Sequence, residues 1–365
     1  MVRTLDAGGL ERDVAKLALG LDPNRFTPYV AAFRSGGLRW SELERAGVPL
    51  IDLRVTSIKS PSILRSIMAF SRVVLREKIK IVHAYDASVV VAAPLARLLR
   101  VPVVLSAAVG SRYLLEEKFR NDVARTDQIV DSIVVNCRAM QRELTEKFGV
   151  SDKSIDLCYN GVETAQFFPA AEPRTGIVGD ATMVIGSICV LRPEKRLEML
   201  IDAFAQVSPL MPGLRLLIVG SGPELPKLQA RAVERSVTDL CNFIPAVPDV
   251  QKYLRAMDIF VSCSSSEAFS NAILEAMACG CCPVGSRVGG TPELIADGER
   301  GLLFDPDSTD ALAQKLALLI QHPELRVRFA QRAADFAATQ LNMQVALNRM
   351  SEIYESRLQR KGAAH

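Results

Sequence analysis

The strand-like run Asp258-Ile259-Phe260-Val261-Ser262 leads, after Cys263, into Ser264-Ser265-Ser266-Glu267-Ala268-Phe269-Ser270-Asn271-Ala272-Ile273-Leu274-Glu275-Ala276-Met277-Ala278-Cys279-Gly280. The first five residues are short, apolar and rich in residues that favour a strand buried on both faces. Ser270 suits the N-cap of a helix and Gly280 its end. Strand, polar loop and helix in that order form one unit of an alternating α/β chain.

The same alternation extends in both directions. Strands are expected at 29–33, 79–84, 102–106, 132–136 and 154–158, and again at 183–190, 214–220, 242–244, 258–262, 282–285 and 301–304, each separated by a helix or turn. Such a pattern builds parallel sheets covered by helices. Between the two sets lies Phe167-Phe168-Pro169-Ala170-Ala171-Glu172-Pro173-Arg174-Thr175-Gly176, which reads as a linker. Two domains are therefore expected, 1–165 and 166–365, each with an open sheet, the two sheets facing a central cleft. Val2-Arg3-Thr4-Leu5-Asp6-Ala7-Gly8-Gly9 reads as a strand end running into a Gly turn, so a first strand is expected to be partly missing.

Composition narrows the function. Hydrophobic residues make up 49% and charged residues 23% of the 365, which suits a folded, soluble chain. A net charge of +3 with no basic stripe argues against nucleic acid as a partner. Cys279-Gly280-Cys281-Cys282 resembles half of a metal site, but no second cluster follows and His83, His322 and His365 are scattered, so no metal and no cofactor are expected. The eight cysteines read as buried reduced thiols. Without a signal-like start or 18 consecutive apolar residues, the expected location is cytoplasmic, with peripheral contact at the inner membrane face as an option.

The helix start after the strand at 258–262 offers unpaired N–H groups and a positive dipole end, so the backbone at Asn271 and Ala272 suits a phosphate. Glu267 just before the helix and Glu275 within it border that anion pocket, where they suit sugar hydroxyls. Two such glutamates are, by spacing alone, also ordinary solvated charges. Lys195, in Val190-Leu191-Arg192-Pro193-Glu194-Lys195-Arg196, stands where it can neutralise a diphosphate and its leaving group, although a plain basic loop has the same composition. Gly220 and Gly222, in Ile218-Val219-Gly220-Ser221-Gly222-Pro223-Glu224, allow close backbone approach to a nucleotide.

Taken together these segments resemble the retaining glycosyltransferases of family 4, which have the two-domain GT-B fold. The resemblance rests on Gly8-Gly9-Leu10-Glu11-Arg12, Asn160-Gly161-Val162-Glu163-Thr164-Ala165-Gln166-Phe167, Arg192-Pro193-Glu194-Lys195, Gly220-Ser221-Gly222-Pro223 and Val288-Gly289-Gly290-Thr291-Pro292-Glu293. Above all it rests on Glu267 and Glu275 with seven residues between them and Phe269 in step. It implies metal-independent transfer of a sugar from a nucleotide-sugar donor to a sugar or lipid-linked acceptor. Glu275 would bind the ribose, Glu267 the donor sugar, Lys195 the diphosphate, and Gly8 and Gly9 the sugar-phosphate. Phe269, Ser270, Asn271 and Ala272 would complete the donor site, and the last helix, near 342–360, would cross back to the first domain.

The chain departs from this pattern at Val190, where the family usually has an Arg five residues before the Lys; Arg192 is the nearest substitute. The segment Ala107-Ala108-Val109-Gly110 lacks a His that many relatives carry. His83, in Ile81-Val82-His83-Ala84-Tyr85-Asp86, resembles the family's strand-end His and is a candidate on the acceptor side, or else a structural residue. A helix at 62–77 places Ile63, Ile67, Phe70 and Val74 on one face and Arg65, Arg72 and Arg76 on another, a basic face suited to weak contact with anionic lipid or simply to water. The rival reading is a catalytically weakened nucleotide-sugar-binding subunit of a glycan-assembly system.

Overall fold

A computed structural model describes residues 1–6, 8–55, 63–85, 88–112, 115–170 and 175–362. Ala7, Ser62, Asp86, His365 and linker positions 171–174 lie outside the described residues.

The chain divides into two compact units, the first made of Met1–Asn160 together with Gln344–His365 and the second of Gly161–Met343. This boundary lies upstream of the Pro- and Ala-rich segment, because residues after Gly161 pair within the second unit: the Val162 amide donates to Leu341 O and the Met343 amide to Val162 O.

In the first unit, β1 (Val30–Ala32) pairs with β2 (Leu50–Asp52), while β3 (Ile81–Tyr85), β4 (Val103–Ala108), β5 (Ser132–Val135) and β6 (Ile155–Leu157) form a second sheet in that order. Every pairing is parallel. Alternate residues of β3 and β4 face opposite helix layers. Val82, Ala84 and Val104 pack with Phe70 and Val74, whereas Val103 and Leu105 pack with Met350, Ile353 and Tyr354 of helix Met343–Gly362. The strand β2 is not among those expected from the sequence, since it has three residues, all half-buried.

In the second unit, β7 (Met183–Ile188), β8 (Leu214–Val219), β9 (Cys241–Ile244), β10 (Ile259–Ser262), β11 (Cys282–Ser286) and β12 (Leu302–Phe304) form one parallel sheet ordered β12-β11-β10-β7-β8-β9. Helix Leu197–Val207 buries Leu200, Ile201 and Phe204 on one face of this sheet and packs against helix Thr309–Gln321. Phe204, Ile185, Leu216, Ile259 and Phe304 are sealed within that core. Burial of each such side chain contributes roughly 1.5–3 kcal/mol. Consecutive strands run outward in both directions from β7 and β10, so the chain's direction of travel reverses between them. A crevice outside the carboxyl ends of two such strands is where open α/β sheets place ligands.

Candidate functional site

Two loops leave the sheet at that reversal. After β7 the chain turns through Cys189 to Arg192 into a single tight turn, Pro193–Lys195, ahead of helix Leu197–Val207. After β10 it crosses 263–270 and enters helix Asn271–Ala278. The loops are tied together, with the Ser265 amide donating to Glu194 O at 2.9 Å. As a result Lys195 Nζ lies 2.6 Å from Glu267 Oε2. Both side chains are largely shielded, at 24% and 18% exposure, which strengthens the attraction relative to a solvated pair.

Glu267 is held by more than Lys195. Ser264 Oγ donates to the same Oε2 at 3.2 Å. Ser264 is itself buried, and its carbonyl accepts from Ser286 Oγ at 2.6 Å, which links β11 to this loop. On the far side the Gly290 amide donates to Ala268 O at 2.7 Å. A Cβ at Gly289, whose φ is +49°, would stand 1.5 Å from Glu267 O, so only glycine lets the two loops touch. Neither Ser264 nor Ser286 stands out in the sequence, because a serine that braces a carboxylate carries no spacing signal.

Helix Asn271–Ala278 begins as its sequence suggests. Ser270 is extended at the N-cap, and its side chain accepts from the Ile273 amide at 3.4 Å. Asn271 and Ala272, half-buried, occupy the first turn, where N–H groups point out of the helix end. Phe269 is buried just ahead of the cap and anchors the loop. Glu275, one turn further, is only 6% exposed, an unusual burial for a carboxylate.

The Gly-rich turn packs closely against the loop after β7. A Cβ on Gly220 would lie 1.9 Å from Cys189 O, and one on Gly222 would lie 2.3 Å from Leu191 O. The Leu191 amide donates to Ser221 O and the Glu224 amide to Leu191 O. The close approach these glycines permit is therefore to the loop that carries Lys195.

Arg192 does not join Lys195. Its side chain is 61% exposed, 3.9 Å from Glu194, and lines a groove of about 250 Å³ with Arg196, Asp202, Glu224 and Lys227, a groove that Lys195 and Glu267 do not line. Val190 is 51% exposed in the same loop.

The remaining candidates belong to the first unit. Gly8 is the exposed N-cap of helix Gly9–Gly20. The sequence suggests that His83 ends a strand, but β3 continues to Tyr85, so His83 is an interior strand position with its imidazole buried against Tyr354. Its Nδ1 lies 2.9 Å from Tyr354 Oη and 3.3 Å from Tyr85 Oη. Burial, helped by the nearby N-terminal ammonium, pushes its pKa down to about 3, so it is neutral at physiological pH.

None of the eight cysteines is in a disulfide, and burial raises Cys279 and Cys282 to about 12.

Residues 176–336 match the family "Glycosyl transferases group 1", and residues 7–166 match "Glycosyltransferase Family 4". One of the subunits of the Arabidopsis thaliana phosphatidylinositol N-acetylglucosaminyltransferase is 30% identical over 228 residues, covering 62% of this chain and 46% of that protein. D-inositol 3-phosphate glycosyltransferase of Segniliparus rotundus is 32% identical over 213 residues, covering 56% and 47%. The matched regions thus span about half the length of these relatives. Among solved structures, Anabaena HepE in complex with UDP superposes with a TM-score of 0.86 at 20% identity, over 97% of this chain and 98% of that one. A glycosyltransferase from Rickettsia africae gives 0.85 at 19% identity, over 98% of each. These superpositions speak to the fold, and with the family matches over both units they lead to one assignment: the chain belongs to the family-4, group 1 glycosyltransferases and has the GT-B fold.

Proposed function

We propose that this protein transfers a sugar from a nucleoside-diphosphate sugar to a sugar or lipid-linked acceptor, with retention of anomeric configuration. The observation that carries the reading is the 2.6 Å contact of Lys195 with Glu267 beyond the ends of β7 and β10. The HepE structures, solved with UDP, with UDP and glucose, and with UDP-glucose, support a nucleotide-sugar as donor.

In this reading Lys195 leaves Glu267 for the donor diphosphate, and the first-turn N–H groups at Asn271 and Ala272 take the terminal phosphate. Positive charge fixed in place before reaction stabilises the nucleoside diphosphate as it departs, with no metal required. Glu267, braced by Ser264, accepts from hydroxyls of the transferred sugar, and Glu275 from those of the ribose. Gly220 and Gly222 act by fixing the Lys195 loop. Gly8 and Gly9 present a second helix start to an anion. His83 is a packing residue rather than a catalytic one.

A thermal-shift screen of UDP, GDP, ADP and their sugars, followed by detection of released nucleoside diphosphate, tests the proposal. A ligand at 100 times its Kd adds about 2.7 kcal/mol of stability. No shift with any nucleoside diphosphate at millimolar concentration would overturn it. Val190, exposed where the family has a cation, favours a second reading as a donor-binding subunit with little turnover.

No helix among the described residues is long and apolar enough to cross a membrane. Helix Ile63–Arg76 buries Phe70 and Val74, and its outer side mixes Arg65, Arg72 and Arg76 with Leu64, Met68 and Leu75, each of the last three more than 60% exposed. This side is more apolar than the basic face read from sequence. Cations beside large apolar side chains suit the surface of an anionic leaflet, which supports a cytoplasmic protein working peripherally on it.

A further inference from the structure

In the second unit, two of the cysteines follow directly on neighbouring strands. β10 pairs with β7 through Ile259 opposite Ile185 and Phe260 opposite Gly186. Carried three residues on, this register sets Cys263, the first residue after β10, opposite Cys189, the first residue after β7. Both positions are still held to the sheet. The Cys189 amide donates to Val219 O of β8, and Ser264 O, next to Cys263, accepts from Ser286 Oγ of β11.

Residues opposite each other on parallel strands point to the same face of the sheet. Here it is the face under helix Leu197–Val207, where Ile185, Ile259, Val261 and Phe204 share one core with the buried Cys263, and the half-buried Cys189 packs against that core. Burial raises the pKa of Cys263, and the Cys189 thiol adds to the rise, which puts the two sulfur atoms within electrostatic reach of each other. Adjacent strands run about 4.8 Å apart, inside the Cα separation of about 4.4–6.8 Å that a disulfide spans. The cysteine-rich run at 279–282 is placed differently. Cys281 turns its thiol to Leu254 O, and Cys282 lies opposite Ile259, at the other end of β10 from Cys263.

We infer that Cys189 and Cys263 are a redox-modification site, a dithiol that a small disulfide such as glutathione disulfide oxidises to a cross-strand disulfide. The more accessible Cys189 reacts first. Its thiolate attacks one sulfur of the oxidant, the S–S bond there breaks, and the Cys263 thiolate then attacks the Cys189 sulfur, which forms the bond between the strands. Each departing glutathione thiolate takes up the proton of the cysteine that displaced it, so two protein thiols are oxidised and one disulfide is reduced to two thiols. Burial raises Cys189 to about 11, with Lys195 lowering it and Glu267 raising it to smaller extents, so little thiolate is present at neutral pH and oxidation is slow. The bond joins the feet of the two loops that meet at Lys195 and Glu267, and, on the donor-site reading above, holds them together when Lys195 has to leave for a diphosphate. Oxidation therefore weakens donor binding, and a thiol reductant restores it.

In the test, the full chain is incubated with glutathione disulfide, digested without reduction and mapped by mass spectrometry, while calorimetry reads its affinity for UDP, GDP and ADP before and after. The expected product is one linked pair of peptides carrying Cys189 and Cys263, with affinity for the nucleotide that binds lowered at least about fivefold and recovered in dithiothreitol. Cys263→Ala, which lacks the second thiol, should instead hold glutathione on Cys189. Stable glutathione on Cys189 of the unmodified chain, a link from either cysteine to a different one, or no oxidation of either at about pH 9 would overturn the site. Equal nucleotide affinity of the reduced and linked forms would overturn the effect on donor binding. A reduced chain that binds no nucleotide would count against the donor site instead, and the linked peptides would still decide the cysteine pair.

Discussion

Lys195 and Glu267 are 72 positions apart in the chain and 2.6 Å apart in space. The pair joins the first turn after β7 to the loop after β10, and it occupies the ammonium that a diphosphate would need. A partly exposed pair of this kind stabilises the free protein by about 1 kcal/mol or less, so a doubly charged ligand can displace it. Glu267→Gln should therefore leave Tm and nucleoside-diphosphate affinity nearly unchanged, while transfer falls about a hundred- to a thousand-fold through loss of a contact to the reacting sugar. Calorimetry with the nucleotide and a turnover assay measure the two separately. A tenfold loss of nucleotide affinity would show that Glu267 belongs to the nucleotide rather than the sugar.

Gly222→Ala places a methyl 2.3 Å from Leu191 O, a backbone atom with little room to retreat. The expected cost is about 1–3 kcal/mol of stability, as for other overpacked sites, together with displacement of the loop that carries Lys195. Denaturant unfolding and nucleotide affinity should both worsen. If stability is unchanged and only affinity falls, the glycine faces the nucleotide directly.

His83 gives a pH signature. Its pKa is about 3 in the folded protein, against an ordinary value of 6.5. Between those values the unfolded chain holds a proton that the folded one does not, so stability falls as pH drops through this window, by up to about 1.4 kcal/mol per unit. His83→Gln, which keeps a hydrogen-bonding partner for Tyr354, should flatten that slope between pH 6 and 4. Equal slopes for both proteins would mean that the imidazole is solvated.

Much of this molecule is legible in the sequence because buried parallel strands are short apolar runs, as at 183–188 and 259–262, and Ser270 marks its helix start unambiguously. Leu50–Asp52 is not legible, being short and half-buried, so that neither a continuous apolar run nor a clear alternation shows it. The carboxylate Glu267 can be picked out by its setting, but Ser264 and Ser286 cannot, since their roles come from β11 lying next to β10. Gly220 and Gly222 are recognisable as permitting a close approach, yet which backbone approaches depends on the β7–β8 pairing. His83 reads as a residue near a strand end because the expected strand, 79–84, stops short of Tyr85, whereas β3 runs through it and makes His83 an interior position.

The exposed side of helix Ile63–Arg76 predicts sedimentation with anionic vesicles that weakens as salt rises from about 0.05 to about 0.5 M, because screening shortens the reach of Arg65, Arg72 and Arg76 to below about 10 Å. Neutral vesicles should bind less. Leu64→Ser with Met68→Ser should reduce binding at every salt concentration, since insertion of apolar side chains is not screened. Equal partitioning to both vesicle types would leave this helix as a solvated face.

Val190 separates an enzyme from a binding subunit. Its side chain is half exposed in the loop that also carries Lys195, and Arg192 is turned to a different groove. A cation at position 190 would act where negative charge grows as the glycosidic bond breaks, so its lack should slow turnover more than it weakens binding. Loss of a comparable transition-state donor costs about 2.7–4 kcal/mol, or roughly a hundred- to a thousand-fold in rate. Val190→Arg should therefore raise kcat at least several-fold with the right donor and leave donor affinity within a factor of a few. The substitution needs little accommodation, because an exposed loop position lets a long side chain find its own path. If the unmodified protein already turns over rapidly and the variant is no faster, another group supplies the charge. If both proteins bind donor tightly and neither releases nucleoside diphosphate with any acceptor, the donor-binding subunit is the correct reading.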